Sequence, residues 1–123
     1  MLDYNELNNT DGLEAWPPFS ELDFINVLSG DPQHRGRHDH GTFDTPLQVG
    51  VWECTPGKFE YTYPDDEFCT LLDGHIKVTD ADGNIHEFKT GDSFFTVQGE
   101  KVTWEVIETI RKVFFSCSKI DGA

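Results

Sequence analysis

Basic side chains are scarce in this chain of 123 residues: nine Lys and Arg stand against 23 Asp and Glu, a formal charge of −14. Such a surface repels phosphate backbones and anionic lipid, which excludes nucleic acid and membranes as main partners. The acidic excess itself reads as solvated faces. No apolar stretch reaches the roughly 20 residues of a membrane span. The opening MLDYNELNNTDGLEAW lacks the basic segment and apolar run of a secretory signal. Cysteines number three, an odd count without zinc-type spacing, which suits free thiols in a reducing compartment. These absences point to a soluble, cytoplasmic protein.

What the chain does have is β-type material. Aromatics make up 13% of it, with ten Phe and three Trp, and the length suffices for one domain with a core of its own. Residues 1–21 are acidic and end in Trp16-Pro17-Pro18-Phe19, where two prolines favour an extended arm over a helix. Such an arm must bury Trp16 and Phe19 on its own barrel or on a neighbour's. Residues 22–30 read as the first strand of a domain spanning 22–123. DPQHRGRHDHGTFDTP (31–46) reads as a polar loop with room for a short strand.

Short runs then alternate with Gly, Pro and Asp punctuation: strands over 47–54, 58–63, 67–72, 75–80, 85–88, 93–97, 102–107 and 111–117. Asp73-Gly74 reads as a tight turn between two of them. No internal repeat or low-complexity segment occurs. The pattern predicts an all-β antiparallel barrel or double-sheet jelly roll.

Glu67 is the residue that asks for an explanation. It sits in a strand beside Phe68, Cys69, Leu71 and Leu72, and a carboxylate buried there needs a partner or a purpose. Desolvation would suit it to general acid or base work, or to anchoring a ligand's amine or hydroxyl. The plainer alternative is a structural Glu bonded to Tyr61, Tyr63, Lys58 or Lys112. Lys112 follows Arg111; it would neutralise Glu67, bind a substrate carboxylate, or simply be an exposed base at a strand end. His38 and His40, two apart on an extended segment, would face one way as metal ligands, with Asp44 or His34 as a third donor; clustered His in a polar loop are otherwise exposed.

The phrases GVWECTPGKF, DEFCTLLDG, VTDADGNIHEF, TGDSFF, and TWEV followed by RK together resemble the cupins. Within them the likeness is to the small single-domain group related to ureidoglycine aminohydrolases and the cupin of ethanolamine utilisation. It covers about residues 49–115. The resemblance implies a cupin-type double-stranded β-helix, a homodimer, and a site in the barrel mouth. Glu67, six intervening residues and Gly74 fit the first cupin motif, and Gly91 and Gly99 fit the second. The His positions before Glu67 hold Tyr61 and Tyr63, the last His position holds Val102, and Val97 and Val106 replace a Pro and an Asn. Three of the four usual metal ligands are thus missing, and the expectation is a barrel without that metal.

In the family register Tyr61, Tyr63, Glu67, Cys69, Val102, Trp104 and Val106 project inward, since strand neighbours two apart share a face. This gives Glu67 and Lys112 as candidate catalytic residues and Tyr61, Tyr63, Cys69 and Trp104 as candidate ligand contacts. Three functions are compatible with these residues, and the cofactor is left open. One is a small-molecule-binding cupin that acts on a ureide, amine or small carboxylate with Glu67 as acid or base. A second is a metal-dependent hydrolase with substitute ligands from Glu67 and the His34–His40 segment. The third is a non-catalytic sensor or subunit whose barrel is filled by its own aromatics.

Overall fold

The computed structural model describes residues 1–7 and 9–118. Strands β1 (Glu14–Ala15), β2 (Ile25–Gly30), β3 (His34–His40), β4 (Leu47–Cys54), β5 (Gly57–Thr62), β6 (Asp66–Thr79), β7 (Ile85–Lys89), β8 (Ser93–Thr96) and β9 (Lys101–Cys117) are joined by turns and one 3-10 turn at Phe19–Glu21. Every pairing is antiparallel. The all-β expectation holds.

Two long strands organise the rest. The first half of β9 pairs with β5 and its second half with β4, while β6 runs along its other edge throughout. One flank therefore reads β2-β5-β9-β6-β7 and the other β1-β3-β4-β9-β6-β8. The sheet curls on itself because β6 bends at Gly74, where its register against β9 shifts repeatedly between Leu71 and Ile76. Gly74 has φ +103°, and a Cβ there would run into the Thr109 carbonyl and Ile110 Cα. Only glycine fits that bend. The expected turn at Asp73-Gly74 is thus a kink inside one 14-residue strand, and the two runs at 102–107 and 111–117 are one strand of 17.

Alternation sets the core. Along β9, Val102, Trp104, Val106, Ile110, Lys112, Phe114 and Ser116 are buried, and Glu108 at the crossing is exposed. Phe59, Cys69, Leu71 and Ile76 close the barrel from β5 and β6. On the outer face Phe68 lies opposite both Phe95 and Phe115, and all three are exposed.

Within the polar stretch 31–46 the short strand that the sequence left room for is β3, seven residues lying along β4. Its inward positions are His34, Gly36 and His38, so it carries no aliphatic alternation to betray it. The arm lies on its own barrel. Ala15 pairs with Arg35, Phe19 is buried against Phe59 (ring centroids 5.0 Å), and Trp16 covers Gly36 so closely that a Cβ there would sit 2.5 Å from its ring. The aromatics that would suit the arm to a neighbour are used within the chain.

Candidate functional site

A cavity of about 450 Å³ opens at the mouth of the barrel between the arm and the inner faces of β4, β6 and β9. Its walls are mainly rings and aliphatic carbons, and its polar groups are few, the composition of a small-molecule pocket.

At its floor lies an ion pair. Glu67 and Lys112 sit on neighbouring strands with both side chains inward, Glu67 opposite Ser116 and Lys112 opposite Leu71. The two long side chains meet, Lys112 Nζ donating to Glu67 Oε2 at 2.6 Å. Lys112 is buried, with its side chain 5% exposed; Glu67 is 12% exposed, toward the cavity. The ammonium also rests against two indoles, 4.8 Å from the Trp52 ring centroid and 4.9 Å from that of Trp104. The rings cross edge to face at 5.8 Å and make a corner for the charge. Burial is the largest single influence on Lys112 and works to lower its pKa, but the charge and hydrogen bond of Glu67, with the nearby Cys69 and Cys54 sulfurs, together hold the group above its ordinary 10.5. Lys112 is therefore an ammonium, far from the exposed strand-end base that was one expectation for it.

Hydrogen bonds hold the aromatic walls in place. Trp52 Nε1 donates to His34 Nδ1 at 2.9 Å, which leaves His34 Nε2 to carry the proton and donate to the Pro17 carbonyl at 2.6 Å. Both ring nitrogens are used, and burial lowers the His34 pKa. The imidazole is a neutral strut between arm and barrel. Trp104 Nε1 donates to Tyr63 Oη at 3.2 Å. Tyr61 stands against Tyr63 (4.3 Å between centroids) and Phe24 (5.8 Å) and reaches the cavity, whereas Tyr63 is buried behind it. Burial raises both phenols well above 10.0.

Cys69 is 1% exposed, lies outside the cavity lining, and burial pushes its thiol up to about 11. It is packing. His38 and His40 do not come together. The β3 register shifts between them, His38 turns inward to stack on Trp16 (5.3 Å) and bond Gln48 Oε1 (2.8 Å), and His40 is exposed. Among the described residues no group of three or more His, Cys, Asp or Glu is placed to hold a metal ion.

Residues 41–114 match the family model described as an EutQ-like cupin domain. The match spans more than half of the sequence and includes Tyr61, Glu67 and Lys112. The chain belongs to the EutQ-like cupins. The barrel is similar to a Pseudomonas syringae pv. tomato protein of unknown function from the DUF861 family, with a TM-score of 0.75 and 24% identity over 89% of this chain. This cupin spans about half of that protein, 46% of its length. It is also similar to the EutQ protein of Clostridium difficile, with TM-score 0.63 and 20% identity over 83% of this chain and 81% of that one. A DUF861 family protein from Thermotoga maritima is 31% identical over 52% of this chain and 73% of its own, with TM-score 0.50. No curated protein matches the chain.

The usual cupin metal does not fit these residues. The one motif carboxylate, Glu67, already holds an ammonium, and Val102 offers no donor. The two motif phenols are kept protonated by burial, so neither is a ready anionic ligand. Lys112 supplies the positive charge in contact with Glu67.

Several groups at this cupin's site escape sequence reading. Trp52, Asp65, Phe114 and Ser116 all line the cavity, and His34, read from the sequence only as a possible metal donor, lines it as a strut. Trp52 reaches Lys112 because the two are direct partners in the β4–β9 register. Nothing local to either residue encodes that pairing.

Proposed function

We propose that this cupin binds a small metabolite in the barrel mouth, above the Glu67–Lys112 pair, without the usual cupin metal. The observation that carries this is the pair's position. An ion pair at the floor of an open, ring-lined cavity of about 450 Å³ is more than barrel filling requires. Tyr61, Trp52 and Trp104 wall the ligand, and Tyr63 acts behind them by fixing Trp104. Where chemistry follows binding, Glu67 is the group in reach of a ligand proton, and Lys112 balances its charge. The open volume argues against a barrel merely filled by its own aromatics. The donor set argues against a metal-dependent hydrolase.

Thermal shift against ureides, amines and small carboxylates tests the proposal, since a ligand of the native state must raise the melting midpoint. A hit that Glu67→Gln weakens supports the site. Silence across all three classes overturns it. The pairing of two copies implied by the cupin resemblance belongs to the same proposal. Sedimentation velocity would then show twice the 14.0 kDa of one chain, and a single-chain mass would remove it.

A further inference from the structure

From the charge and hydrogen-bonding inventory of the cavity, we infer that its ligand is a small organic cation: a protonated amine or quaternary ammonium bearing an apolar substituent. This rests on reading the cavity as a ligand site and names the class that fits it.

Two acids and one base line the cavity, Glu67, Asp65 and Lys112, and the neutral His34 adds nothing, so the lining carries one net negative charge. The base is the less available of the charges. An ammonium has three N–H donors; Lys112 gives one to Glu67 Oε2 and lies against two indoles, with its side chain 5% exposed. Glu67 spends one oxygen on that bond, and among the described residues its Oε1 has no hydrogen-bond partner. Tyr61 Oη and Ser116 Oγ, which line the same space, likewise make no side-chain hydrogen bond among the described residues.

The cavity thus offers one free carboxylate oxygen and two hydroxyls able to accept, while its single cationic group lies 5% exposed against Glu67 and the two indoles. A carboxylate ligand would meet Glu67 Oε1 and Asp65, while a ligand N–H or N-methyl group meets the charge and partners it lacks. Around these acceptors stand the rings of Trp16, Phe24, Phe43, Tyr61 and Phe114. Ring faces replace part of a cation's hydration and attract it electrostatically, and they shelter an apolar substituent equally well. The overall charge of −14 steers ligands of this sign toward the protein. Trp16, Phe24 and His34 lie before residue 41, so part of the cage comes from outside the matched cupin segment.

Isothermal titration of the full chain at pH 7 with three matched probes decides the matter: choline, its uncharged isostere 3,3-dimethyl-1-butanol, and 3,3-dimethylbutanoate. The expected order is choline at least tenfold tighter than the alcohol, with the carboxylate weakest. Glu67→Gln should cut choline affinity tenfold and leave the alcohol unchanged. Trp16→Leu, at the rim and away from the ion pair, should weaken choline about fivefold and so keeps the test open if Glu67→Gln does not fold. Equal binding of choline and alcohol, or a preference for the carboxylate, overturns the cation assignment while leaving the ligand site standing. No binding of any probe also overturns it, and only further silence across the wider ureide, amine and carboxylate panel removes the site.

Discussion

Lys112→Met keeps the aliphatic stem of the lysine and deletes its charge. Glu67 then faces the cavity with no cation, and the Trp52–Trp104 corner loses the group it encloses. At an effective dielectric near 20 the pair's attraction is roughly 4 kcal/mol at 4 Å separation, and each ring contact adds about 1 kcal/mol. Desolvation of both ions offsets much of this in the wild type, so the pair's net worth is small. Breaking it is different, because the remaining charge keeps its desolvation cost; loss of one partner typically costs about 3–5 kcal/mol. Some relief is expected here, because Glu67 is partly exposed to the cavity, which places Lys112→Met near the low end, about 3 kcal/mol. For a chain of this size that lowers the melting midpoint on the order of 10–15 °C. Glu67→Gln alone should cost a similar amount. The double variant Glu67→Gln/Lys112→Met should recover most of the loss, to within about 1–2 kcal/mol of wild type. Urea unfolding of the four proteins completes the cycle. If the single variants each fall within about 0.5 kcal/mol of wild type, or the double equals their sum, the pair is not a desolvated, coupled unit and the reasoning fails.

Gly74→Ala places a Cβ against the Thr109 carbonyl at φ +103° and is expected to cost several kcal/mol, read as a fall in urea midpoint. Of the three thiols only Cys117 should react quickly with a disulfide reagent at pH 8. Burial pushes Cys54 up to about 12 and Cys69 up to about 11, so both should wait for denaturant, and three fast equivalents would refute their burial. Two of the groups that contribute to acid stability, Glu53 and His34, do so with the same sign. Hydrogen bonding from Arg35, then Arg111, holds Glu53 below its ordinary 4.5, so its contribution is full above that pH and lost as pH falls through the lower folded value. Burial likewise lowers His34 from 6.5, so stability declines as pH falls below 6.5; Glu53→Gln should flatten only the more acidic part of the unfolding-midpoint curve.

The barrel was legible because most strands alternate and are punctuated by Gly, Pro and Asp. β3 was legible only as room for a short strand, because its inward positions are His34, Gly36 and His38, which pack on tryptophans and glutamine rather than on aliphatic neighbours. Asp73-Gly74 has the chemistry of a turn, and the same positive φ serves a kink when a long partner strand continues alongside. At the site, Glu67 stood out as an acid in a strand, and Lys112 was already among its possible partners. Trp52 was invisible in that role, since its place beside Lys112 depends on pairing between residues 60 positions apart, 52 and 112.

The outer ladder of Phe95, Phe68 and Phe115 has a consequence for how the protein behaves in bulk. Three adjoining exposed rings form a sticky strip on a molecule that owes its dispersal to like-charge repulsion. That repulsion fades toward the isoelectric point near 4.4. Colloidal failure in mild acid can therefore precede unfolding, and clouding there would report bare phenylalanine rather than a broken barrel.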